Sequence, residues 1–445
     1  MTSLRNKTQR PETQRPVAVR RTGYARRRRR RLLLLGGIAF LLVSAVTVWN
    51  VFNLHLPVPP PSTALTPSIQ PGDWATAGHD PQRTGYLPGS YPPIEGTLLW
   101  RSKAAGGLSA PPALAGGVLY LGSQDSRVIA LDARTGDALW EQQVESPVDL
   151  PLAVAGGYVY APLRNGRLLA LDSESGATRW SFSPGDSFLA APLIYGGSVY
   201  LSARDGRLYC LDAATGQKRW AYKLRAYSAS SPATTDNILV AGTEDGNLHF
   251  LDSRNGTMRR LLPSGFPASS APVLAGGRAF AIADDSLLIA ASLHSREIPF
   301  EQAMRAWWWQ GYVWGMLPRP SQPRGMQWLF TRRGESLGEG MAANEALLFL
   351  GSTIASGEGK LYVLRQDTGE VAWEAKLARP MAGAPIVVGE TVYAVDTGGA
   401  LYGLEAGTGK DVLRSETGAV PAGSPVWGQG VLYVATQAGE ALAFR

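Results

Sequence analysis

Ala130-Leu131-Asp132-Ala133-Arg134-Thr135-Gly136-Asp137-Ala138-Leu139-Trp140 is the stretch that decides the fold. An apolar run ends in an aspartate, a threonine–glycine turn follows, and a tryptophan stands four residues beyond the glycine. The arrangement returns at Ala170, Asp172, Ser175, Gly176 and Trp180, and again at Asp212, Thr215, Gly216 and Trp220. Trp100, Trp140, Trp180 and Trp220 stand forty residues apart, and Gly96, Gly136, Gly176, Gly216 and Gly256 keep the same beat. Self-similarity at that period in a strand-rich chain predicts small sheets that cannot bury their own faces and must stack radially, as β-propeller blades do.

Four strands are expected per repeat. The first carries proline at a fixed phase (Pro112, Pro192, Pro232, Pro272, Pro385 and Pro425, with Leu152 in the second copy), which suits a sheet edge facing a central channel. The second and third are short apolar runs such as Val118-Leu119-Tyr120-Leu121 and Leu168-Leu169-Ala170-Leu171, fitting strands buried on both faces. Asn165-Gly166, Asp205-Gly206 and Asp245-Gly246 join them, since these dipeptides accept the positive φ of tight hairpins. The fourth strand carries the tryptophan.

Both ends point to ring closure. Gly96 and Trp100 belong to a fourth strand with no three strands before it, while Val426, Val431–Val434 and Ala441–Arg445 supply three strands with no fourth. Together they make one blade, which removes loose edges. The glycine phase then counts eight blades, with an excess of about 33 residues between Gly256 and Gly369 over two forty-residue periods. The fold class expected is all-β: an eight-bladed propeller closed by its N- and C-terminal strands and preceded by one transmembrane helix.

That helix is read from Leu32 to Leu54, an uncharged run behind Arg26–Arg31. At 1.5 Å per residue it spans about 34 Å, enough for a bilayer core. Positive charge stays on the cytoplasmic side, so the N-terminus is expected inside the cytoplasmic membrane and the propeller outside the cytoplasm. A cleaved signal peptide with Val43-Ser44-Ala45 as its site is the rival reading. Residues 1–31 carry twelve cations against Glu12, so the overall charge of +7 leaves −4 for residues 32–445. A nucleic-acid partner, which needs a basic face on the folded part, is thereby excluded. Residues 55–72 hold six prolines and read as a stiff spacer reaching at most about 56 Å. The organisation expected is a basic tail over 1–31, the transmembrane helix over 32–54, a proline-rich linker over 55–72, and the propeller over 73–445 with an insertion at about 297–330.

The repeat resembles the tryptophan-docking motif A-x-D-x-x-T-G-x-x-x-W of the PQQ-like (quinoprotein dehydrogenase-like) propeller family. Thr368, Gly369 and Trp373 recur later, Arg260 replaces the tryptophan after Gly256, and Leu413 takes the last place after Gly409. Trp74, His79-Asp80-Pro81 and Thr84-Gly85-Tyr86 look like the family's lead-in. The resemblance implies a structural docking motif at Asp132, Gly136, Trp140, Asp172, Gly176, Trp180, Asp212, Gly216, Trp220 and Trp373. One branch of the family comprises dehydrogenases holding pyrroloquinoline quinone over calcium beneath a disulfide of adjacent cysteines. The single Cys210 cannot form that disulfide, and no position matches the branch's calcium ligands or catalytic aspartate. The other branch, typified by the outer-membrane assembly subunit BamB, is non-catalytic; here an apolar stretch stands where that branch carries a lipid-bearing cysteine.

No catalytic, cofactor-binding or metal residues are expected. His55, His79, His249 and His294 lack metal-ligand spacing, and no nucleophile elbow or phosphate loop occurs. The functional lead is the segment that breaks the repeat. Phe300, Met304, Trp307 and Trp308 fall on one face of a helix that Gly311, Gly315 and Pro318 would end. Trp307, Trp308, Trp309, Tyr312 and Trp314 are the candidate partner-binding residues, since aromatics and methionine are enriched at interface cores. Self-packing against the propeller and contact with a bilayer are the alternatives. The function expected is a membrane-anchored, non-catalytic protein-binding scaffold in the cell envelope, with a PQQ-dependent oxidoreductase as the alternative.

Overall fold

The computed structural model describes Gly37, Leu41 and residues 58–62, 73–104, 106–296 and 300–445. Of the expected transmembrane helix over 32–54 only Gly37 and Leu41 are among the described residues, and among the described residues no helix is long and apolar enough to cross a membrane.

Within the unit from Pro57 to Arg445, eight antiparallel sheets follow one another, as the forty-residue beat requires. The first blade comprises Ala113–Ala115, Val118–Gly122, Arg127–Asp132 and Ala138–Gln143. The second, third and fourth repeat that order, ending in Thr178–Phe182, Lys218–Lys223 and Met258–Pro263. The fifth has its fourth strand at Met326–Thr331, and the sixth and seventh end in Val371–Leu377 and Asp411–Glu416. Leu98–Lys103 pairs antiparallel with Glu440–Phe444, so the N-terminal strand completes the eighth blade as expected.

The blades stack through buried seams, and the docking motif is what joins them. The Asp132 carboxylate accepts the backbone N–H groups of Arg134 and Thr135, fixing the turn; Asp172 and Asp212 do the same in their blades. A bulge then shifts the register just before each tryptophan and turns the indole onto the next blade. The ring covers the next glycine so closely that a Cβ on Gly136 would meet Trp100 at 2.7 Å, which is why that position lacks a side chain. Trp140 Nε1 donates to Ser173 O at 2.9 Å and Trp180 Nε1 to Ala213 O at 3.1 Å. Tyr120 and Tyr160 hydroxyls donate to those same two carbonyls, so both acceptor sites of each carbonyl are used. Trp220 covers Gly256 in the same way but its buried Nε1 has no partner. Leu413 covers Gly96, and buried Arg260 spans the fourth-to-fifth seam, its Nη2 donating to Ser292 O at 3.0 Å.

Two boundaries differ from the sequence reading. The insertion does not run to residue 330, because Met326–Thr331 pairs with Leu287–Ser292 as a regular fourth strand. Its Trp328 is a docking tryptophan, covering Gly369 and donating to Gln366 O at 2.9 Å. The proline-rich segment is also not a free spacer throughout: residues 58–62 lie against the third blade.

Candidate functional site

The propeller's axis is sealed by the lead-in. Innermost strands expose a row of backbone donors and acceptors to the channel, which must be paired. Residues 74–87 pair them in sequence. Trp74 exchanges both backbone bonds with Leu114, Val154 N–H reaches Ala75 O, and Thr234 and Leu274 N–H reach Pro81 and Gln82 O. Ala343 N–H reaches Thr84 O, and Tyr86–Leu87 runs parallel to Ile386–Val388. Six of the eight innermost strands are tied this way.

The side chains of this plug are held by burial and by one another. His79 stacks on Trp74 with ring centres 4.4 Å apart, and burial pushes its pKa down to about 4. Asp80 accepts Thr84 N–H at 2.9 Å and the Thr84 hydroxyl; burial pushes its pKa up to about 6, outweighing those bonds. Buried Arg83 donates Nε to Pro232 O at 2.9 Å and Nη1 to Ala77 O at 3.1 Å. Burial pulls its pKa down to about 10.

At the channel mouth a cavity of about 320 Å³ is lined by residues preceding the innermost strands, including Pro111, Leu150, Ala190, Ser230, Ser270 and Ala384. Most of this lining is small, and the Arg83 side chain of the lead-in also reaches it. Among the described residues, no three of His, Cys, Asp or Glu converge on a metal position anywhere. Cys210 is buried in the third blade, where burial raises its thiol pKa to about 11.

Among the described residues of the unit from Pro57 to Arg445, the helix α1, Glu301–Val313, leaves the ring between the third and fourth strands of the fifth blade. Gly311 does not end it. The helix runs through this residue, whose missing side chain admits Leu317: a Cβ there would be 2.6 Å from Leu317 Cδ1. It stops two residues later, where Gly315 takes φ 73° and its N–H bonds Tyr312 O while Met316 N–H bonds Gly311 O. This 5→2 and 6→1 pair is a Schellman stop. The return segment is tied back by Arg305, which donates to Ser321 O and Gln322 O, and by Trp308 Nε1, which donates to Pro318 O at 2.9 Å.

The result is a hairpin braced on itself and open to solvent. Trp307 is 71% exposed, Trp314 64%, Trp309 43%, Trp308 42% and Tyr312 39%. Phe300, Met304 and Met316 are exposed beside them. Trp309 and Tyr312 meet edge to face at 5.5 Å. All five candidate partner-binding residues thus share one hairpin and are displayed, whereas the docking tryptophans close seams. Charge sets the hairpin apart too: residues 296–325 hold four arginines against Glu297 and Glu301, on a body that is net acidic. An aromatic, basic protrusion of this kind can dock a surface with apolar pockets and acidic rims.

Sequence reasoning missed Trp328, the pairing of the lead-in with the innermost strands, and the seat of residues 58–62. Only Trp328 had a signal, a tryptophan preceding Gly369 near the usual spacing.

The model of the family described as outer membrane protein assembly factor BamB matches residues 89–161, 148–307 and 309–445. No curated protein sequence matches the chain. Among solved structures, BamB from Moraxella catarrhalis is similar at 18% identity and TM-score 0.60, covering 78% of this chain and 97% of that one. Quinohemoprotein alcohol dehydrogenase from Comamonas testosteroni is similar at 16% identity and TM-score 0.65, covering 84% and 80%. The computationally designed Ika8 protein is similar at 13% identity and TM-score 0.62, covering 79% and 99%. At these identities the likenesses establish the fold alone.

Proposed function

The chain belongs to the outer membrane protein assembly factor BamB family, and from that membership we propose that it is a non-catalytic, protein-binding scaffold of the cell envelope. In this reading residues 32–54 anchor the chain in the cytoplasmic membrane with the N-terminus inside, and the propeller stands outside the cytoplasm. Trp307, Trp308, Trp309, Tyr312 and Trp314 contact the partner, with arginines such as Arg319 and Arg324 around them. The observation that carries the proposal is the exposure of this aromatic set on a helix braced by its own return loop. Large apolar side chains are seldom displayed together without a use.

The second reading, a PQQ-dependent oxidoreductase, is favoured by the likeness to the quinohemoprotein alcohol dehydrogenase. Against it stands a channel mouth lined mostly by alanine, serine and glycine, with Arg83 the charged side chain among them, and inner strands tied by the lead-in. Titration of the full chain with pyrroloquinoline quinone and calcium separates the two. The scaffold reading predicts no saturable change in quinone absorbance and no substrate-dependent dye reduction. Tight binding accompanied by dye reduction would replace it.

A further inference from the structure

In the second, third and fourth blades the docking aspartate is followed seven residues later by an arginine: Asp172 and Arg179, Asp212 and Arg219, Asp252 and Arg259. In the second and fourth blades the two side chains pair directly, Nη2 to Oδ2, at 2.7 Å and 2.9 Å. The third blade departs from its neighbours, and its Asp212 and Arg219 are both engaged by Val58-Pro59-Pro60-Pro61-Ser62. Ser62 donates its backbone N–H and its hydroxyl to the two oxygens of Asp212, at 2.6 Å and 2.8 Å. Arg219 donates Nη2 to Pro59 O at 2.8 Å and Nη1 to Ser198 Oγ at 2.5 Å, while its buried Nε has no partner. Val58 packs, with Tyr195, Tyr222 and Met258, against the seam cluster that contains Cys210 and Trp220.

We propose that this edge of the third blade is a binding site for a proline-rich, extended peptide, filled here in cis by residues 58–62 and open to exchange with a proline-rich segment of a partner. The chemistry of the site matches that ligand. Three consecutive prolines have no N–H and are stiff in the polyproline conformation, so their carbonyls are their only hydrogen-bonding groups. Arg219 supplies a donor to one of those carbonyls, and Asp212 accepts the first N–H after the prolines. An apolar residue ahead of the prolines anchors in the seam. Exchange is cheap for the same reason that the site is recognisable. When the segment leaves, Asp212 and Arg219 stand at the spacing that forms an ion pair in both neighbouring blades, so neither charge is stranded. A tethered segment competes at an effective concentration in the millimolar range, so a free peptide must reach that concentration to displace it.

The test uses the full chain in detergent, with Cys210→Ser to remove the buried thiol and Val58→Cys as the reporter. A peptide of the sequence of residues 56–64, Leu-Pro-Val-Pro-Pro-Pro-Ser-Thr-Ala, is the competitor. Maleimide should label residue 58 slowly compared with a control cysteine placed at exposed Ser356. Arg219→Ala should raise the rate by roughly tenfold or more, the factor carried by a lost charge-assisted hydrogen bond, and Ser62→Ala should raise it less. Arg219→Lys, which keeps a donor, should restore much of the protection. Peptide at millimolar concentration should accelerate labelling in a saturable way, and Arg219→Ala should weaken its effect. Ser62→Ala lies outside the propeller and cannot misfold it, so the test survives a poorly folded Arg219 variant. Residue 58 labelling as fast as residue 356 in the otherwise unaltered chain would show that no bound segment exists. A slow rate that no concentration of peptide moves would show that the segment is fixed and the site does not exchange.

Discussion

Truncation of Trp328 to alanine should be among the costlier single changes on the ring, while the same change at Trp307 should cost almost nothing. Trp328 donates Nε1 to Gln366 O at 2.9 Å, and its ring covers Gly369 and meets Phe280 at 5.7 Å. Losing the hydrogen bond costs about 1 kcal/mol. Losing the ring at a seam costs about 2 kcal/mol more, less than the roughly 3–5 kcal/mol of a fully buried tryptophan because this one is half-buried. Unfolding entropy of about 2.1 cal/mol/K per residue, taken over residues 73–445, is roughly 0.8 kcal/mol/K, so a 3 kcal/mol loss lowers the melting temperature by about 4 °C. Trp307, 71% exposed and off the ring, should stay within about 0.5 kcal/mol. Calorimetric melts of the two variants beside the parent decide the matter. Equal shifts for Trp328→Ala and Trp307→Ala would refute the division of the tryptophans into seam-closing and partner-binding residues.

Three further outcomes follow from the same geometry. Gly369→Ala should destabilise by more than about 2 kcal/mol in chemical denaturation, because its φ is +73° and a Cβ would stand 2.6 Å from Trp328 Cε3; an unchanged midpoint would contradict the close approach. His79, held near 4 against 6.5 in the open chain, contributes stability that is full above about pH 6.5 and lost as pH falls toward about 4. Asp80, raised from 3.8 to about 6, has the opposite slope, stability falling as pH rises between those values. The parent should therefore vary little from pH 4 to 6.5, whereas Asp80→Asn should gain about 3 kcal/mol over that range from the unmasked histidine. A pH profile of melting that stays flat in Asp80→Asn would overturn the assignment. Finally, the Cys210 thiol, buried and raised to about 11, should resist thiol reagents at pH 8 until denaturant unfolds the third blade.

The ring itself was legible because its determinants are local and repeated. Asp132, Gly136 and Trp140 each act within one turn or on the adjacent blade, so a forty-residue period carries them unchanged. Closure was legible from the missing complements at Trp100 and Phe444. The features that escaped are those in which sequence distance and contact diverge. Trp328 was hidden because residues inserted between Ser292 and Met326 moved it off the beat. The lead-in pairs with strands up to about three hundred residues away through backbone atoms, which leave no side-chain signature. Residues 58–62 read as a spacer because three prolines specify an extended shape and nothing about what receives it. The hairpin lies between these cases. Spacing placed Phe300, Met304, Trp307 and Trp308 on one helical face, but only the bracing of Arg305 and Trp308 on the return loop leaves that face uncovered.

The measurement that bears most directly on the scaffold account is crosslinked capture from membranes by the full chain, run beside Trp307→Ser with Trp314→Ser. Both residues are exposed, so melting temperature should be unchanged in the double variant. The account predicts that a defined envelope protein crosslinks to residues 300–316 of the parent and is lost from the variant. The same protein captured equally by both, or crosslinks from the hairpin to lipid alone, would contradict it.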